Sequence, residues 1–84
     1  MSRGVQKDLN DAIVRRINGL CKTKDWTYHK LSVEAGLSPQ TILYIVDGKR
    51  KNISIHTIKK ICDAFSLTLS EFYNTAYFNH LPME

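Results

Sequence analysis

Four residues on adjoining helical turns, Pro39, Gln40, Thr41 and Tyr44, carry the chemistry that stands out first in this chain. The helical spacing of Ser38-Pro39-Gln40-Thr41-Ile42-Leu43-Tyr44-Ile45 places Gln40, Thr41 and Tyr44 on an outer flank and Ile42 and Ile45 on the inner one. A glutamine amide can pair two-fold with the donor and acceptor of an adenine edge, and a threonine offers a hydroxyl to phosphate or a methyl to thymine. Tyr44 sits one turn beyond Gln40 and shares its face, where it can touch a base or the sugar backbone. Pro39 can add only apolar contact, and Leu43 is placed at a partly exposed rim. Around this flank stand groups suited to phosphate: Tyr28, His29, Lys30 and Ser38 before it, and the run Lys49-Arg50-Lys51 after it. The same residues also fit a plain solvated face, and the basic run taken alone is equally a solvated turn.

The flank can work only if two short helices hold it. Thr27 to Gly48 reads as such a pair, joined at Gly36. Glycine can take the positive φ at which a helix stops. Ser38 can cap the next helix with its hydroxyl, and Pro39 suits the first helical position, where no amide donor is missed.

The remaining helices are legible from their starts. Thr27, Ser38, Ser54 and Thr68 are preferred cap residues, preceded by Trp26, Leu37, Ile53 and Leu67. The fourth helical residue after each cap is Leu31, Ile42, Ile58 or Phe72, so each start carries a hydrophobic staple. Thr68 and Glu71 add a capping box. The spacing predicts five helices, at about 8–22, 28–35, 39–47, 55–65 and 69–78, and no strand. Leu9, Ile13, Ile17, Leu20 and Cys21 line the first helix, with Arg15 and Arg16 on its flank. Ile55, Ile58, Ile61, Cys62 and Phe65 line the fourth; Leu69, Phe72, Tyr73 and Ala76 face inward on the fifth. Residues 1–7 and 79–84 read as loose ends, leaving one domain over 1–84 with an ordered core at about 8–78.

Composition sets the outer bounds. A chain of 84 residues buries only about 60% of its unfolded surface, so its core is modest. Its net charge is +4, and residues 1–52 hold ten Lys and Arg against five Asp and Glu, whereas residues 53–84 hold two against three. The basic half contains the helix pair, which suits a nucleic-acid face on one side. No apolar run approaches the ~18 residues that span a bilayer, and Met1 to Asp8 lack a signal-peptide core, so the expected location is the cytoplasm. Cys21 and Cys62 are expected as buried reduced thiols; with His29, His56 and His80 they show no ligand spacing, so no metal or other cofactor is expected. No Ser/His/Asp set, carboxylate pair or glycine-rich phosphate loop argues for an enzyme.

Leu31, Ser32, Ala35, Gly36, Leu37, Ile42 and Ile45 together resemble the lambda-repressor-like helix-turn-helix domains, the Cro and XRE-type regulators. Ile53 to Phe72 is similar to that family's last two helices, and the resemblance covers about residues 8–78. It implies an all-α, compact five-helix domain with its helix-turn-helix at helices two and three. It further implies a sequence-specific DNA-binding regulator, expected as a repressor on a near-palindromic operator, in a bacterial or phage-type setting. Tyr28 and Asp47 depart from the family, where glutamine or serine commonly opens helix two and asparagine commonly precedes the glycine after helix three. One reading helix covers a half-site, so a homodimer is expected, with Tyr73, Tyr77 and Phe78 as its contact surface or as internal packing. No small-molecule ligand is evident. The alternative is a protein-interaction module, such as an antitoxin or adaptor, with DNA binding secondary.

Overall fold

The computed structural model describes residues 2–49 and 52–79, with side chains from Leu9 onward except that of Tyr77. Six helical segments follow one another: α1 (Ser2–Lys24), α2 (Tyr28–Ala35), α3 (Pro39–Val46), α4 (Ile55–Ala64), α5 (Leu69–Tyr73) and α6 (Ala76–Asn79). No strand occurs among the described residues.

All four expected caps are made. The side-chain oxygens of Thr27, Ser38, Ser54 and Thr68 accept from the amides of Lys30, Thr41, Thr57 and Glu71 at 3.0, 3.2, 3.1 and 3.0 Å. The Glu71 carboxylate accepts from the Thr68 amide at 2.9 Å, completing the capping box. Each hydroxyl accepts from an amide of the first helical turn, where backbone partners run short; the Thr41 amide also donates to the Ser38 carbonyl at 3.1 Å.

The helix ends are equally regular. At α2 the Gly36 amide donates to the Val33 carbonyl and the Leu37 amide to that of Ser32, around a φ of 68° at Gly36. The same paired closure ends α1 at Asp25 and Trp26, α3 at Gly48 and Lys49, and α4 at Ser66 and Leu67. Asp25, Gly48 and Ser66 take the required left-handed φ of 58°, 74° and 58°. Trp26, Leu37 and Leu67 therefore do two jobs. Each completes the closure of one helix, and each is the apolar residue just before the next cap, packed against the core. One residue thus ties the end of one helix to the start of the next.

Ile13, Ile17, Cys21, Leu31, Ala35, Ile42, Ile45, Ile58, Ile61, Cys62, Phe65 and Phe72 form one buried cluster drawn from α1 to α5, closed beyond α4 by Phe65. The staple residues Leu31, Ile42, Ile58 and Phe72 are all within it, so the local start signals are also the core. Ser32 is buried, as the close packing of α2 requires, and its hydroxyl donates to the His29 carbonyl at 2.7 Å. Trp26 stacks on Phe65 with centroids 5.1 Å apart.

Three details differ from the sequence reading. α1 starts at Ser2, not near residue 8, because backbone helicity continues through residues that supply no apolar stripe. Ile55 opens α4 directly after its cap and is 68% exposed, whereas Thr57 and Ile58 of the same turn are buried. The fifth helix breaks at Asn74, whose φ of −85° and ψ of 71° leave the helical region. The break resets the helical phase, so Ala76 in α6 is exposed rather than inward.

Candidate nucleic-acid interface

α2 and α3 pack on one another, joined by Gly36-Leu37-Ser38. Ile42 and Ile45 anchor α3 at 0% and 1% exposure. The opposite flank is open: Pro39 and Gln40 are exposed, Leu43 is 47% and Tyr44 43% exposed, and Thr41 is half-buried. Leu43 is thus as much a part of the outward surface as Tyr44, although sequence spacing alone places it only at the rim.

Ser38 and Thr41 share their hydroxyls at 2.9 Å. One of the two O–H groups is spent on the other, while Ser38 Oγ also accepts the Thr41 amide. A single hydroxyl proton is left in the pair for an outside acceptor such as phosphate.

The start of α2 is organised by contacts that no local pattern announces. The Tyr28 hydroxyl donates to Asn18 Oδ1 on α1. Its one proton is therefore engaged within the unliganded protein, and the Asn18 amide stands beside it on an exposed residue. Lys30 pairs with Glu34 at 3.0 Å and lies 6.0 Å from the Trp26 ring centroid. Both partners of that pair are exposed, so it contributes little stability. His29 and Lys49 are exposed, on the two sides of α3 in the chain. Arg50 and Lys51 lie outside the described residues.

Arg16, read in sequence only as a flanking cation, has a structural role. Its Nε donates to the Phe72 carbonyl at 2.8 Å and its Nη2 to that of Glu71 at 3.0 Å. The guanidinium thus closes the C-terminal end of α5 and stands 5.9 Å from the Phe72 ring centroid. Tyr73 and Phe78 join Phe72 in an aromatic group, with Tyr73 and Phe78 edge-on at 4.9 Å. Both rings are half-buried, and burial pushes the Tyr73 hydroxyl above its usual range. The Tyr77 side chain lies outside the described residues.

Cys21 and Cys62 are buried free thiols, each pushed above the usual thiol range by burial. Among the described residues no three His, Cys, Asp or Glu side chains gather as a metal site, and no helix is long and apolar enough to cross a membrane.

A capped helix pair with a buried inner flank, an open outer flank and cations beside it has the geometry of a helix-turn-helix. Residues 16–76 match the family model of the Cro/C1-type HTH DNA-binding domain, and the chain belongs to that family. No curated protein and no solved structure matches the chain. Membership makes this a DNA-binding regulator whose partner is double-stranded DNA, in a family of regulators rather than enzymes.

Proposed function

We propose that the protein represses transcription by laying α3 in the major groove of a near-palindromic operator, as a homodimer in the cytoplasm. The observation that carries this reading is the division of α3 itself: Ile42 and Ile45 are locked in the core while Pro39, Gln40 and Tyr44 stay uncovered. Base edges then meet Pro39, Gln40, Thr41 and Tyr44. Phosphates meet Tyr28, His29, Lys30, Ser38, Lys49, Arg50 and Lys51, with the amide-rich starts of α2 and α3 adding partial positive charge. Tyr28 takes part by turning its proton from Asn18 to a phosphate oxygen.

One α3 reads one half-site, so two-fold pairing of the chain supplies the rest of the affinity. The exposed margins of Tyr73 and Phe78, with Tyr77 between Ala76 and Phe78, are assigned to that contact. Packing Tyr73 and Phe78 on Phe72 makes the surface rigid, so little side-chain freedom is lost on pairing.

Fluorescence titration of the whole chain on random and selected duplexes, at several salt concentrations, tests the reading. Selected duplexes should bind more tightly, with log affinity falling linearly in log salt by about 0.9 per phosphate neutralised. Gln40→Ala should relax preference at one base pair, worth about 1–3 kcal/mol of discrimination. Equal affinity for both duplexes without a salt slope would sink the proposal.

A further inference from the structure

The outward flank of α3 consists of two parallel rows. Pro39 and Leu43 are one turn apart and form an apolar row; Gln40 and Tyr44 are one turn apart and form a polar row beside it. All four residues are exposed. From Pro39 to Val46 the helix, Pro-Gln-Thr-Ile-Leu-Tyr-Ile-Val, carries no Lys, Arg, Asp or Glu. Thr41 is half-buried, with its hydroxyl engaged by Ser38, which leaves its methyl as the group uncommitted to the cap.

The major groove presents different chemistry at each base pair. Guanine shows two acceptors that call for Arg or Lys, and cytosine shows a donor that calls for Glu or Asp. α3 offers neither. Adenine shows a donor and an acceptor side by side, which a glutamine amide matches. The apolar group in the groove is the thymine C5-methyl, the natural partner for Leu43, Pro39 and the Thr41 methyl. An exposed leucine gains most from the groove where a methyl meets it, because the hydrophobic gain grows with the apolar area that leaves water.

Resting on the reading of α3 as the groove-binding helix, we infer that the operator half-site is centred on A·T pairs. Gln40 reads adenine, and the apolar row led by Leu43 reads thymine methyls. Leu43 is then a specificity-determining residue that works by contact area rather than by hydrogen bonding. Tyr44 continues the polar row toward a neighbouring base or sugar.

Selection of bound duplexes from a random pool by the full chain, followed by replacement of single thymines with deoxyuridine, tests this. Deoxyuridine keeps every hydrogen-bonding group and removes one methyl. The enriched half-site core should be A·T pairs, and at least one thymine in it should lose about three- to five-fold in affinity on losing its methyl. In Leu43→Ala the unaltered duplex should bind more weakly and that deoxyuridine penalty should disappear. The deoxyuridine measurement on the unaltered chain stands whether or not the variant folds. Guanine and cytosine at the enriched core, or deoxyuridine substitutions without effect on a tightly selected duplex, would overturn the inference while leaving sequence-specific binding intact. No enrichment and no salt-dependent binding would overturn the operator-binding reading itself, and this inference with it.

Discussion

The ends of α2 and α3 are built alike and used in opposite ways. Both close around a left-handed glycine, Gly36 at 68° and Gly48 at 74°, with the same pair of backbone bonds. The residue after the glycine differs. Leu37 is half-buried against the core and delivers the chain to Ser38 and the next helix at once. Lys49 is exposed, and the chain runs on through Arg50 and Lys51 before Ser54 caps α4. The same backbone turn is thus followed by a core-packed leucine at one helix end and by an exposed lysine at the other. What differs is the hydrophobic effect acting on a single side chain at a position that backbone geometry has already prepared.

Exchanging those side chains is the sharpest way to break the comparison. Leu37→Lys should lower stability by about 2–3 kcal/mol in urea unfolding, because it removes apolar burial and presses a charge against the core. Loss below about 0.5 kcal/mol would show that the junction does not depend on Leu37. Gly36→Ala and Gly48→Ala should each cost about 1–2 kcal/mol, and nearly the same amount. An added Cβ meets nothing within 4 Å at either glycine, so only the positive φ resists it. A clear inequality between the two would reveal a difference that the backbone does not show. Ser38→Ala should cost about 1 kcal/mol through the lost cap on α3. Lys49→Leu should leave stability within about 0.5 kcal/mol. Its effect should appear in DNA titrations instead, as weaker binding to every duplex and a salt slope shallower by about one.

The limits of sequence reading track the range of the interactions. Thr27, Ser38, Ser54 and Thr68 are legible as caps because each bonds an amide three residues on. Their staples are legible because the two partners are close in sequence, as Trp26 is to Leu31. Helical phase puts Leu43 at a rim, since phase does not say how closely neighbouring elements approach it. It puts Ile55 inward, yet that residue is 68% exposed at the very start of α4. The break at Asn74 leaves no signal because Leu69, Phe72, Tyr73 and Ala76 keep helical spacing across it. Within the candidate interface, position alone picks out Tyr28, but its engagement with Asn18 crosses from α1 to α2 and leaves no periodic trace.

From its sequence alone this protein declares where α2 to α5 begin, where the turn between α2 and α3 falls and which flank of α3 faces the core. Those choices rest on bonds and contacts between near neighbours in the chain, whose geometry a helix imposes. Only the folded chain decides that Arg16 closes α5 from 56 residues away, that Tyr28 leans on Asn18, and that Leu43 stands in the open beside Gln40. Such pairings depend on how whole helices are set against each other, a relation fixed by the summed packing of the core and not by any one stretch of residues.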